Sequence, residues 1–185
     1  MSENIYYSNI LGKQVFATKK CEQQDVVDFF RAIKKIPSNI LNYLIKNNWV
    51  LCLVSEEEMF LLTSSSKNSF TNSFRKFIVT ANRPEDSSTI ESSLLYEVGN
   101  IISDIGNGIA DSTAFKKGWT MDMFPFLSKY GTAVDRDRIN TLKGSFAEGY
   151  IKYLENSESF SALCPHLASI YKVAEKIFGP GFAAA

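Results

Sequence analysis

Between Glu91 and Asp104 the chain reads ESSLLYEVGNIISD, which places Tyr96, Glu97 and Asn100 at positions i, i+1 and i+4. On a helix, two imidazoles at i and i+4 point at one zinc ion, and a glutamate beside the first takes a proton from the zinc-bound water. Here the glutamate is present as Glu97, while Tyr96 and Asn100 occupy both imidazole positions. A phenol titrates near about pH 10, so it is a poor zinc ligand at neutral pH, and a neutral amide is weaker still. The spacing keeps the scaffold of hydrolytic zinc chemistry and lacks its ligands.

That scaffold has to be a helix. Leu94, Leu95, Val98, Ile101, Ile102 and Ile105 recur at helical spacing and form one apolar face. Farther on, KGSFAEGYIKYLEN (Lys143 to Asn156) sets Phe146, Tyr150, Ile151 and Leu154 on one face of a second helix that carries Glu148. Glu97, Asp104 and Glu148 are oxygen ligands of the type a hard cation takes, although structural hydrogen bonds are the plainer use for them. Glu97 with Glu148 also makes the carboxylate pair of a glycoside hydrolase, with no other sign of a sugar site. The one histidine, His166, follows Pro165 at the start of a last helix. With a single imidazole, neither a Ser-His-Asp nor a Cys-His set is available, and Cys164 is expected to pack as a small apolar residue.

At 185 residues the chain is long enough to bury a core as a single domain. Charged residues are 22% and hydrophobic ones 45%, which excludes wholesale disorder. Twenty basic and twenty acidic side chains balance, so no bulk charge argues for nucleic acid. No segment has the length or apolarity of a membrane span, and MSENIYYSNILGKQ lacks a basic start and an apolar run, so a cytoplasmic location is expected. Cys21, Cys52 and Cys164 are odd in number and far apart, which fits reduced thiols rather than a disulfide framework or zinc cluster.

Along the chain, residues 1–20 suit a strand or an arm. Val26, Phe29, Phe30, Ile33 and Ile36 predict a helix, and Ser38 is placed to cap a second one over 39–47. WVLCLV (Trp49 to Val54) predicts a buried strand; Thr63 to Ser73, rich in Ser and Asn, an exposed loop; and FRKFIVTA (Phe74 to Ala81) a strand at a sheet edge. Residues 82–86 predict a turn, Gly106 to Gly108 a helix stop, Asp135 to Arg138 a charged loop, and Pro165 to Phe178 a final helix. Helices, a short mixed sheet, then mostly helices is an α+β order.

The blocks YEVGN, GSFAE and CP, in that order, resemble a metalloprotease family: the lineage of the anthrax lethal factor catalytic domain and the secreted clostridial Pro-Pro endopeptidases. That family carries His-Glu-x-x-His on one helix, Glu-Phe-Phe-Ala-Glu on the next, and a Cys-Pro or Ala-Pro opening to the last. ADSTAFKKGW is similar to its connecting helix, and AIKKIPSNILNYLIKNNWVLCLV to its helix-turn-helix-strand entry. The resemblance spans residues 25–178 and is strongest after Glu91. It implies a zincin-like α+β fold in which the two histidine ligands fall at Tyr96 and Asn100, the third ligand at Gly144, the general base at Glu97 and a supporting carboxylate at Glu148. The family's oxyanion tyrosine falls at Asp137.

A relative with all three ligand positions substituted is expected to hold no metal or cofactor and to have no peptidase activity. The expectation that follows is a pseudo-metalloprotease that holds another protein or peptide in the former substrate cleft. It would pair the segment with a sheet edge near Phe74 to Ala81 and act as a regulator, inhibitor, immunity or accessory protein of a bacterial toxin or phage system. Two alternatives stay open: a hydrolase rebuilt on Glu97 and Glu148, and a structural or assembly protein. Oligomeric state is left undetermined.

Overall fold

In the computed structural model, which describes residues 5–8, 12–65, 67–82, 88–105 and 108–178, the chain is α+β with a small mixed sheet and a majority of helix. Its internal contacts gather into two compact units, Met1–Glu97 and Val98–Ala185.

The first unit is built on five strands: β1 (Ile5–Ser8), β2 (Gly12–Thr18), β3 (Val50–Val54), β4 (Ser69–Asn72) and β5 (Phe77–Ala81), in the order β1-β2-β3-β5-β4. The three central strands, β2, β3 and β5, are parallel, and β1 and β4 are antiparallel edges. Parallel strands need crossovers. These are α1 (Gln23–Ile33) with α2 (Ser38–Lys46), and then α3 (Glu56–Thr63).

Strand alternation sorts the side chains by face. Cys52, Val54, Val79 and Ala81 pack with Met59 of α3 on one side, beside the partly buried Phe16, Phe70 and Phe77. Val15, Ala17, Leu51, Leu53, Ile78 and Thr80, all fully buried, belong to the other. Ser69 lies opposite Thr80 and Thr71 opposite Ile78, so these two share that second face.

Several sequence expectations change here. The strand within Phe74 to Ala81 is β5, which is paired on both sides, so it is not the edge; the edge is β4. β4 lies inside the Ser/Asn-rich stretch read as a loop, whose small polar residues hide a four-residue strand from any propensity argument. Pro37, not Ser38, takes the cap position of α2, because its extended backbone (φ −51°, ψ 137°) turns the chain into the helix at Ser38. Residues 1–20, which suit a strand or an arm, form the strands β1 and β2 over the described positions. Glu56 to Glu58 open α3 through a capping box in which Ser55 Oγ accepts from Glu58 N–H and Ser55 N–H donates to Glu58 Oε2. The predicted turn at 82–86 falls mostly outside the described residues.

The second unit is helical. Helix α4 (Ile90–Ile105) enters it at Val98, followed by a 3-10 turn (Ile109–Asp111), α5 (Thr113–Tyr130), α6 (Arg136–Ile139), α7 (Leu142–Glu155), α8 (Ser157–Leu163) and α9 (Pro165–Ile177). The charged stretch Asp135 to Arg138 is therefore mostly helix rather than loop: Asp135 Oδ1 accepts from the Asp137 and Arg138 amides and starts α6. The core is aromatic. Phe146 sits edge-on to Tyr171 at 5.1 Å and to Phe115 at 5.4 Å, and Phe160 packs 5.8 Å from Tyr171. Helices α4 and α7 cross at Gly99, where a Cβ would come within 2.9 Å of the Ala147 backbone. Two small residues are thus needed for these helices to approach closely.

All three cysteines are free and buried. Burial pushes the Cys52 thiol up to about 12 and those of Cys21 and Cys164 up to about 11. They stay protonated at neutral pH, which makes them poor nucleophiles.

Candidate functional site

Glu97 is nearly inaccessible, at 6% exposure, on the last turn of α4 that belongs to the first unit. Both of its oxygens accept hydrogen bonds from the sheet edge: Ser69 Oγ donates to Oε1 at 2.9 Å and Thr71 Oγ1 to Oε2 at 2.7 Å. Two residues apart on a strand, these hydroxyls face the same way, and together they strap β4 to α4. Two more hydroxyls of this unit are buried with no hydrogen-bond partner among the described residues: Thr80 Oγ1, opposite Ser69, and Ser93 Oγ, one turn before Glu97. Tyr96 is half-buried on the same helix.

The other positions of the expected site belong to the second unit. Asn100 is half-buried on α4. Gly144 is buried in the first turn of α7, where Thr141 Oγ1 accepts from its N–H at 3.0 Å. A Cβ built there would run into the carbonyl oxygen of Arg138. Glu148, one turn on, pairs with Arg138 Nη1 at 3.1 Å, and Arg138 Nε also reaches Asp135 at 3.3 Å. Burial pushes the Glu148 carboxyl above its usual range, and the Arg138 guanidinium opposes that shift without cancelling it.

The three carboxylates considered for a hard cation therefore have separate partners: Glu97 the β4 hydroxyls, Glu148 Arg138, and Asp104 Lys143 at 2.7 Å on the surface. No group of three or more His, Cys, Asp or Glu side chains among the described residues is arranged to hold a metal. Asp137, at the oxyanion position, is exposed on α6.

His166 serves a helix start. Its Nδ1 lies 2.8 Å from Asp122 Oδ1, and Asp122 Oδ2 accepts from the Leu167 N–H at 2.8 Å. Cys164 offers no side-chain cap and Pro165 no N–H, so a buried carboxylate from α5 caps α9 from a distance. Asp122→Ala is expected to cost about 2 kcal/mol, while Asp122→Asn, which keeps an acceptor for Leu167, should cost about 1 kcal/mol. Urea denaturation of the two variants beside the parent measures the difference.

Sequence reasoning passed over three residues that shape these positions: Ser69, Thr71 and Arg138. The signal for the first two was their i, i+2 spacing within SFTN. Arg138 gave none, since its partner lies ten residues away across a helix start.

Comparison with protein-family models and with curated proteins finds no match to this chain. Among the described residues no helix is long and apolar enough to cross a membrane.

Proposed function

We propose that this chain is a zincin-like pseudo-metalloprotease of the lethal factor lineage, which works by binding an extended segment of another protein along the open edge of β4. The observation that carries the reading is the engagement of both Glu97 oxygens by Ser69 and Thr71. A general base has to meet the water it deprotonates, whereas this carboxylate holds a strand in place. The substituted ligand positions Tyr96, Asn100 and Gly144 support the same reading.

The strap leaves β4 ready for a partner strand. Ala81 N–H donates to Asn68 O, so residues 68 and 81 form a hydrogen-bonded pair. By antiparallel alternation, the main-chain N–H and C=O of Ser69 and Thr71 then point away from β5, toward the open edge. An incoming strand gains its affinity from such groups. Phe74, in the turn that follows, is 95% exposed and supplies an apolar anchor beside the edge.

Glu97 variants test the proposal. Glu97→Ala is expected to cost about 2 kcal/mol, to speed amide exchange in β4, and to abolish capture of a partner from host extract. Glu97→Gln, which keeps one acceptor, should fold, cost about 1 kcal/mol and still capture it. Tightly held zinc at one ion per chain, or a hydrolytic activity lost only in Glu97→Gln, would overturn the reading in favour of an enzyme.

A further inference from the structure

Two helix surfaces, one in each unit, expose large apolar side chains and carry opposite charge. On α3, Phe60, Leu61 and Leu62 are 55%, 74% and 59% exposed, directly after the acidic first turn Glu56, Glu57 and Glu58. Its second half, Met59 to Leu62, is apolar on consecutive positions and so on several sides of the helix, yet within its unit the helix buries only Met59. On α5, Met121, Met123 and Phe124 are exposed, Phe124 at 83%, with Leu127 beyond them. The exposed charges of α5 are Lys116, Lys117 and Lys129; its one acid, Asp122, is buried against α9. None of the three lysines is in an ion pair among the described residues, and the carboxylate of Glu56 is likewise unpaired, while Glu57 has only an exposed bridge to Lys20. Leu127 also lines a cleft of about 360 Å³ that holds Arg136, a fourth exposed cation.

We propose that these surfaces bind each other between two copies of the chain, α3 of one lying on α5 of the next. The spacing agrees. From Glu56–Glu57 to Phe60–Leu61 is four residues of helix, roughly 6 Å, and from Lys116–Lys117 to Met121 and Phe124 is about four to eight residues, roughly 6–12 Å. Laid along α5, α3 brings its carboxylates over the lysines while Phe60 and Leu61, one turn on from Glu56 and Glu57, meet Met121, Phe124 and Leu127. The apolar centre supplies the affinity, and the charges set orientation and partner choice. The contact joins two different patches, so it is heterologous. It uses helix surfaces rather than the β4 strand and stands or falls independently of the pseudo-metalloprotease reading.

Sedimentation velocity of the full chain across a concentration series tests this, with circular dichroism as the folding control. The parent should self-associate, more weakly as salt is raised. Lys116→Glu/Lys117→Glu and Glu56→Lys/Glu57→Lys should each lose association by tenfold or more when alone, since each then sets like charges face to face. An equimolar mixture of the two should regain it, because every α3–α5 pairing between unlike chains is again complementary. Phe124→Ser should abolish association in the parent background. A parent that is monomeric throughout, or charge variants that associate as the parent does, overturns the proposal. A monomeric parent that sediments with phosphatidylserine vesicles and loses this in Phe124→Ser overturns it in favour of a membrane surface.

Discussion

Arg138→Ala is expected to destabilise the protein by about 3 kcal/mol at neutral pH, one of the two largest effects of any single substitution considered. The guanidinium lies 3.1 Å from a Glu148 carboxylate that is only 4% exposed, so its removal leaves a buried charge uncompensated. The deficit depends on pH with a definite sign. Burial already holds the Glu148 carboxyl above its usual range against the pull of Arg138. A raised carboxyl makes the folded state the better proton binder, so stability from this group is full below the ordinary carboxylate value and is lost as pH rises through the raised one. Without Arg138 the carboxyl rises further. The gap in unfolding free energy between variant and parent should be widest where Glu148 is ionised in both proteins and narrow as falling pH protonates it. Denaturant titrations at several pH values measure it. The paired change Arg138→Met/Glu148→Leu should recover most of the loss, because an apolar pair of similar volume has no charge to desolvate. A deficit independent of pH would mean that Arg138 acts through packing alone.

Gly144→Glu, which puts a carboxylate at the position the resemblance aligns with a third zinc ligand, is expected to cost about 3 kcal/mol or more and to create no metal site. The obstacle is the first side-chain atom: a Cβ at 144 would strike the Arg138 carbonyl, and it would also come within 3.0 Å of Thr141 Oγ1, the cap of α7. Both neighbours are held, one in the main chain at the end of α6 and one by its bond to the 144 amide, so neither gives way cheaply. Gly144→Ala should therefore show most of the same penalty, which separates the steric cause from the added charge. The triple variant Tyr96→His/Asn100→His/Gly144→Glu should bind zinc no better than the parent by elemental analysis after dialysis. A folded triple variant with one zinc per chain would show instead that these three positions can meet at one metal ion and would overturn the expectation.

The two substitutions probe different parts of the proposed loss of a site. At Gly144 the backbone before α7 occupies the space a side chain would need. At Glu148 the carboxylate has found a cation in the helix that closes it. In the first unit Glu97 has found two hydroxyls. Each residue that would serve a metal is either missing or has a structural partner, and on this the proposed loss of activity rests.

How much of this was legible in the chain depended on the range of the interaction. The α4 and α7 helices, β3, the final helix and the α+β order follow from apolar periodicity, a local property that persists wherever a face is buried. Tyr96, Glu97 and Asn100 were singled out by motif spacing, Gly144 and Glu148 by the resemblance, and they lie on α4 and α7. The partners of the two glutamates were not legible. Ser69 and Thr71 sit in a stretch whose composition reads as loop; it becomes a strand because β5 is there to pair with it. The true sheet edge moved for the same reason, since Phe77–Ala81 has strand propensity whether or not a neighbour covers it.

The sequence by itself determined which segments bury an apolar face, that Tyr96 and Asn100 stand where a zinc helix would carry two histidines, and that the chain has one histidine. These are statements about residue type and local spacing. Only the tertiary structure decided that Glu97 straps β4, that Glu148 is paired with Arg138, that Asp122 caps α9 at His166, and that no side chain fits at position 144. Each of these depends on which distant atom lies within about 3 Å, and strand pairing and helix crossing set that distance.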